Sequence, residues 1–77
     1  MEKIDLAIGR VLRSLREQKG ISQEQLSFDA DLHRTYISQL ERGLKSITVK
    51  TLLRITCKLE IGIDVFMKKV IDEINKL

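Results

Sequence analysis

The sequence predicts an all-α fold, a compact bundle of five short helices in a single domain. The 77 residues include no proline, and 43% of them are hydrophobic. Apolar side chains recur every three or four positions, which is the helical period, and capping residues and glycines bound the periodic segments. A chain of this length is close to the size at which one core is only just sufficient.

The first helix is expected over residues 3 to 19. Its apolar or small side chains fall on one stripe, which consists of Ile4, Ala7, Ile8, Val11, Leu12 and Leu15. Gly20 follows as the stop signal. Basic residues such as Arg10 and Arg13 lie off the stripe, and a solvated face is the simplest account of them.

Two short helices joined by a three-residue turn are expected within residues 22 to 43. Ser22 is a good N-cap, and Gln25 completes the reciprocal capping box, so the second helix should begin at Gln23. It can run for only about two turns before Asp31 interrupts the pattern. Aspartate tolerates the left-handed conformation that such a turn often needs.

The third helix should begin after His33, which is a weak capping residue, and should end at Gly43. Two short helices with so few residues between them cross steeply, as in a helix-turn-helix, and one of them stands outward. With Ile37 facing inward, the outward arc of the third helix carries Arg34, Thr35, Ser38, Gln39 and Arg42. Such side chains recognise bases and phosphates of duplex DNA.

Thr48 should cap a fourth helix that runs to about Leu59, and its inward-facing residues should be Val49, Leu52, Ile55 and Leu59.

The fifth helix, from about residue 63 to residue 77, should open near Asp64. Its apolar face is broad and comprises Ile63, Phe66, Met67, Val70, Ile71, Ile74 and Leu77. A domain of this size can bury only part of that face against its own core, so a second copy should cover the remainder. We therefore expect a two-fold homodimer whose contact is formed by Ile63, Phe66, Met67, Val70, Ile71 and Ile74. The alternative is that the helix simply completes the core of a monomer.

The segment LHRTYISQLERG, followed by ITVKTL, resembles the lambda-repressor-like (Xre/Cro-type) helix-turn-helix family and is similar to the controller proteins of restriction-modification systems. The resemblance implies a five-helix DNA-binding domain in which Arg34, Thr35, Ser38 and Gln39 read bases of a pseudo-palindromic operator. It implies that the DNA backbone is held by Gln23, Tyr36, Arg42, Lys45, Ser46 and Thr48. For Gln23 the alternative is an ordinary surface residue, and for Tyr36 it is core packing.

The same resemblance implies a partly buried structural ion pair between Arg16 and Glu41. It also implies a regulator of its own gene and of an endonuclease gene, which activates at low concentration by recruiting RNA polymerase and represses at high concentration. A phage-type repressor or antitoxin-like regulator of the same fold is an alternative. An alternative from another class is a helical protein-interaction module without DNA binding.

Composition and motifs argue against other functions. The net charge of +3 and the pI near 9.2 are compatible with a polyanionic partner. The single Cys57 allows neither an intrachain disulfide nor a thiolate metal cluster, so we expect no metal and no cofactor. The lack of a disulfide fits a reducing compartment, and we expect the protein to be located in the bacterial cytoplasm. No signal peptide, membrane span, phosphate-binding loop or catalytic constellation is evident, and we expect neither an enzyme nor a small-molecule substrate.

Overall fold

The computed structural model describes residues 2 to 77, and its five α-helices confirm the all-α expectation. The helices are α1 (Lys3–Gln18), α2 (Gln23–Asp29), α3 (Arg34–Glu41), α4 (Val49–Lys58) and α5 (Ile63–Lys76). They form a body with extents of 31 × 23 × 23 Å. None of these helices is long and apolar enough to cross a membrane.

The helix α1 is the centre of the packing, since it lies against both α3 and α5. The helix α2 packs on α3 and touches α4, and α4 in turn contacts α5. Together they enclose one apolar core, formed by Ala7, Ile8, Val11, Leu12, Leu26, Ala30, Ile37, Leu40, Leu52, Ile55, Leu59, Phe66 and Val70. Burial of these side chains is the main favourable term in folding, and it fixes which face of each helix remains outside.

Four of the helices end in the same way, with one residue in the left-handed conformation. Glycine holds that position after α1 (Gly20, φ 70°) and after α3 (Gly43, φ 74°), whereas Asp31 (φ 56°) and Glu60 (φ 57°) hold it after α2 and α4. After α3 the amide of Leu44 donates to the carbonyl of Gln39 at 2.9 Å, which is the bond that defines a Schellman motif. The expectation that Asp31 adopts this conformation is confirmed.

The first residue of α4 is exposed, contrary to the sequence expectation. Leu52, Ile55 and Leu59 are buried as expected, but Val49 is 67% exposed. The prediction that Val49 faces inward is therefore wrong. At about 100° per residue, Val49 lies about 60° from Leu52 and about 120° from Ile55 around α4, which places it at the edge of the buried arc.

Candidate nucleic-acid interface

The turn between α2 and α3 is built by local hydrogen bonds. The side chain of Ser22 accepts from the amide of Gln25 at 2.9 Å, so Ser22 caps α2 as expected. The amide of Leu32 donates to the carbonyl of Ser27 at 2.8 Å, which closes the end of α2 around Asp31. The chain is thereby turned sharply within the four residues 30 to 33, one more than expected, and α3 begins at Arg34.

The capping of α2 differs from the sequence expectation in one detail, whereas the start of α3 agrees with it. The side chain of Gln25 donates to the carboxylate of Asp29 at 2.8 Å, one turn ahead, instead of returning to Ser22. The reciprocal half of the expected capping box, in which the carbonyl oxygen of the Gln25 side chain would accept from the backbone amide of Ser22, is absent because this side chain is turned toward Asp29. His33, at the start of α3, makes no side-chain capping bond, which confirms it as a weak cap.

The helix α3 turns a polar face outward because its apolar residues are held in the core. Ile37 and Leu40 are buried. Arg34, Thr35 and Arg42 are exposed, whereas the remaining members of the expected outward arc, Ser38 and Gln39, are half-buried. The one carboxylate of α3, that of Glu41, is buried, so none faces outward along the helix. The outward face therefore combines positive charge with hydrogen-bonding groups.

A buried ion pair anchors the C-terminal end of α3 to α1. Arg16 donates through Nε and Nη2 to the two carboxylate oxygens of Glu41, at 2.6 and 3.0 Å, and through Nη1 to the carbonyl of Ile21 at 2.8 Å. The Arg16 side chain is 11% exposed and that of Glu41 2%. The hydrogen bond with Glu41 raises the pKa of Arg16, burial opposes the rise, and the charge of the carboxylate adds to it.

Gln23 connects this ion pair to the outward face of α3. Its Nε2 atom donates to Oε1 of Glu41 at 2.9 Å. The same residue lines a shallow notch of about 240 Å³ together with Arg34, Thr35 and Ser38. The first residue of α2 thus lies between the buried carboxylate and the side chains at the start of α3. The bond to Glu41 uses one of the two amide protons, and the second remains for a ligand in the notch.

The other residues expected at the DNA backbone lie in different surroundings. Tyr36 is half-buried and packs against the core. The Nε of Arg42 donates to the carbonyl of Ser38 at 3.3 Å, and Lys45 is exposed in the loop that follows α3. Both cations are therefore on the surface, while Tyr36 is divided between core and solvent.

Two hydroxyl groups of this loop already have partners. Ser46 donates to the Asp5 carboxylate on α1 at 3.3 Å. Thr48 caps α4 as expected, because its Oγ1 accepts from the amide of Thr51 at 3.2 Å, and it also donates to the Thr51 hydroxyl at 3.0 Å. Each hydroxyl has a single proton to give. Contact between either residue and a phosphate would therefore require an existing bond to be exchanged.

The apolar face of α5 is used largely by the core of the chain itself. Phe66 and Val70 have no exposed surface, so they are not available to a second molecule, and their expected place in a dimer interface is wrong. They fill the centre of the bundle because α1 packs along α5. Ile63, Met67 and Ile74 are half-buried, and Ile71 is 55% exposed.

One residue that positions α3 was missed by the sequence analysis. Gly9, in the middle of α1, lies where a Cβ atom would meet the carbonyl oxygen of Leu40 and, at 2.7 Å, that of Glu41. The backbone of α1 therefore approaches the end of α3 more closely than any side chain would allow. The available signal was a single glycine within a continuous helical stripe, which often marks close packing.

Two helices joined by a tight turn, the second with an outward polar face, define a helix-turn-helix protein. The model of the family described as helix-turn-helix matches residues 12 to 66. The chain belongs to this family.

Two relatives of this chain are named as control proteins. Control protein C.BamHI of Bacillus amyloliquefaciens is 43% identical over 54 residues, which are 69% of this chain and 67% of the relative. Control protein C.MunI of a Mycoplasma species is 30% identical over 77 residues, and the match covers 99% of each chain. The resemblance to controller proteins is thereby confirmed.

A solved controller structure matches the fold over nearly the whole chain. The controller protein C.Esp1396I, solved as a tetramer with its natural 35 base-pair operator, superposes with a TM-score of 0.88 at 35% identity, covering 96% of this chain and 97% of the other. Structures of that protein are also known with arginine replaced by alanine, threonine by alanine and tyrosine by phenylalanine at three successive positions. The run Arg-Thr-Tyr occurs once in this chain, at residues 34 to 36.

Proposed function

We propose that this chain is a transcriptional regulator that binds specific duplex DNA through the outward face of α3. The observation that carries the proposal is that face itself, which offers guanidinium, hydroxyl and amide groups without a carboxylate. An α-helix fits the major groove, where arginine pairs with guanine, glutamine with adenine, and serine or threonine with either. Membership of the helix-turn-helix family supports the same function.

The side chains of this surface divide by their expected target. Bases are read by Arg34, Thr35, Ser38 and Gln39. The sugar-phosphate backbone is held by Gln23, Tyr36, Arg42, Lys45, Ser46 and Thr48, which set the register in which the bases are read. The exposed cations Arg42 and Lys45 are the strongest members of the second group, because Ser46 and Thr48 must first give up existing hydrogen bonds.

Gln23 has a double role in this proposal. One proton of its amide goes to Glu41, and the other is directed to a phosphate in the notch beside Arg34. The bond to Glu41 fixes the orientation of the amide before DNA arrives, so little side-chain entropy is lost on binding. The alternative of an ordinary surface residue does not account for the contact with a buried carboxylate.

The protein binds as a homodimer to a pseudo-palindromic operator. Two copies of α3 reach successive major grooves on one side of B-DNA when they lie about 34 Å apart. The similarity to C.BamHI, C.MunI and C.Esp1396I supports a controller of a restriction-modification system. In that role the protein occupies operators upstream of its own gene and of an endonuclease gene. It activates transcription at low concentration by recruiting RNA polymerase, and it represses transcription at high concentration.

The test begins with selection of bound sequences from a random duplex library. Fluorescence anisotropy on the selected duplex then compares Arg34→Ala with Arg13→Ala, which removes the same charge from an exposed position on α1. Arg34→Ala should weaken binding by about 1–3 kcal/mol, about 5- to 150-fold, and relax preference at one base position. Equal losses from both variants, or no selected sequence, would contradict the proposal.

Lys45→Ala separates base reading from backbone attraction. The lysine is a point charge in an exposed loop, so its loss should weaken all duplexes alike and reduce the slope of log Kobs against log salt by about one. Anisotropy titrations at several salt concentrations, with selected and unrelated duplexes, measure both effects. If Lys45→Ala and Arg34→Ala change sequence preference identically, the division into base and backbone contacts is wrong.

A further inference from the structure

Three helices and one connecting segment meet at the buried carboxylate of Glu41. Arg16 belongs to α1, and the carbonyl that it also binds, that of Ile21, lies between α1 and α2. Gln23 is the first residue of α2, and Glu41 is the last residue of α3. The Glu41 side chain is only 2% exposed, so its oxygens are satisfied by these side chains and not by solvent. Arg16, Gln23 and Glu41 thus form a junction between α1, α2 and α3.

The junction determines which end of the Gln23 amide faces inward. An ionised carboxylate only accepts hydrogen bonds, so the nitrogen of the amide must face Glu41. Nε2 lies 2.9 Å from Oε1 of Glu41, and the same oxygen accepts from Nη2 of Arg16 at 3.0 Å. The guanidinium is itself held by three hydrogen bonds. A half-buried glutamine is thereby held in one orientation at the edge of the notch.

The charge of the junction suits a position next to the DNA backbone. A carboxylate without a partner would repel a phosphate placed on the other side of Gln23. Nε of Arg16 lies 2.6 Å from Oε2 of Glu41, so the buried pair as a whole is neutral. The Gln23 amide therefore offers its second proton to the notch without an uncompensated negative charge behind it.

We propose that Arg16 and Glu41 are positioning residues for DNA recognition and that they act through Gln23. This inference rests on the proposed function and gives the buried ion pair a task besides stability. The pair joins the phosphate-binding start of α2 to the end of α3, so the contact that sets the register keeps a fixed spacing from the side chains that read bases. Without the pair, the Gln23 side chain must be ordered when DNA binds, which lowers affinity.

Positioning explains a feature that stability alone does not require. Apolar side chains of similar volume can replace a buried ion pair without loss of stability, and often with a gain. Such a replacement at residues 16 and 41 would leave Gln23 without an acceptor. Within residues 2 to 77, its amide makes no other side-chain hydrogen bond. The polar junction is therefore needed to orient Gln23, whereas an apolar one is sufficient to fill the space.

The first experiment uses the double variant Arg16→Met, Glu41→Leu, the junction variant, which removes the acceptor and leaves the net charge unchanged. Its control is Arg13→Met, Glu17→Leu, the same replacements at an exposed ion pair of α1. Circular dichroism and urea unfolding check that both are folded, and fluorescence anisotropy measures binding to the selected duplex and to an unrelated one. The junction variant should bind the selected duplex about 2- to 12-fold more weakly, as expected for one side chain ordered on binding, and should lose less on the unrelated duplex. The control should bind both duplexes like wild type.

Gln23→Ala completes a double-mutant cycle with the junction variant. If the pair acts through Gln23, adding the junction substitutions to Gln23→Ala should cause no further loss of affinity, whereas independent effects multiply. Losses that multiply in full, wild-type affinity of the junction variant, or equal losses on both duplexes would overturn this inference. In each of these cases a wild type that selects specific sequences still supports the proposed function. A wild type that selects none refutes the proposed function and this inference with it.

A second measurement needs only the wild type and Gln23→Ala. The side-chain amide protons of Gln23, assigned in a ¹⁵N–¹H spectrum by their absence from Gln23→Ala, should exchange with water more slowly than those of the exposed Gln18. On addition of the selected duplex, the proton directed to Glu41 should keep its chemical shift while the other proton shifts. Exchange as fast as that of Gln18 would show that Gln23 is not held in the free protein and would overturn the inference even if the junction variant does not fold.

Discussion

Replacing Glu41 with alanine is expected to destabilise the fold severely, because it leaves a buried guanidinium without its carboxylate. In the native chain Glu41 accepts two bonds from Arg16 and one from Gln23. After the substitution only the bond from Arg16 to the carbonyl of Ile21 remains. Breaking a buried pair by removing one partner costs about 3–5 kcal/mol.

That cost is large relative to the stability of the domain. At about 0.05–0.15 kcal/mol per residue, a chain of 77 residues has a free energy of unfolding of about 4–12 kcal/mol. Each kilocalorie corresponds to about 4–8 °C in the Tm of such a domain, so Glu41→Ala should lower the Tm by at least about 12 °C. Thermal unfolding followed by circular dichroism measures the change.

The matched control is Glu17→Ala, which removes the same side chain from an exposed pair with Arg13 and should cost only about 0.3–0.5 kcal/mol. The double variant Arg16→Met, Glu41→Leu should recover much of the loss, because apolar side chains of similar volume can replace a buried pair. A fall of only one or two degrees for Glu41→Ala would show that the pair is effectively solvated and would refute this reasoning.

Two further predictions concern stability. Gly9→Ala places a Cβ against the carbonyl oxygens at the end of α3 and should destabilise the fold by about 1–3 kcal/mol, measured by urea unfolding. The difference between Ser14→Gly and Ser14→Ala, at an exposed position of α1, is the control for helix propensity. A more stable Gly9→Ala would mean that the two helices separate easily. Lys19 lowers the pKa of the Glu60 carboxyl, mainly through a hydrogen bond of 2.6 Å and to a smaller extent through its positive charge. Because the folded-state pKa is depressed, the stabilisation is complete above the unfolded value near 4.5 and is lost as the pH falls through the folded value. An NMR titration should show the pKa of Glu60 rise in Lys19→Met, and an unchanged value would mean that the pair does not form in solution.

The positions of the five helices could be predicted from the sequence because their signals are local. The cap at Ser22 and the left-handed residue at Asp31 each depend on a few neighbouring residues, and both predictions were confirmed. The period of the apolar stripe on α4 placed Leu52, Ile55 and Leu59 correctly and Val49 wrongly. The ion pair between Arg16 and Glu41 is a different case. It joins residues far apart in sequence, and only the resemblance to a known family indicated it.

The misassigned residues are those whose surroundings depend on how the helices pack. Helical period places Phe66 and Val70 on an apolar face, but it does not say how much of that face α1 will cover. Gln25 had two partners within reach, and its side chain donates to the carboxylate of Asp29 instead of accepting from the backbone amide of Ser22. The close approach at Gly9 follows from the depth at which two helices meet; the lone glycine in the stripe of α1 is compatible with close packing but does not identify the helix that packs there.

The uneven anchoring of α3 has a consequence for how such proteins can change their targets. Core contacts and the ion pair hold its C-terminal half, whereas its first residues are exposed and no side chain caps them. Replacing residues 33 to 35 therefore disturbs few interactions on which folding depends. New operator preferences can arise there by mutation without compensating changes elsewhere, and one stable scaffold can diversify into regulators that do not respond to each other's sites.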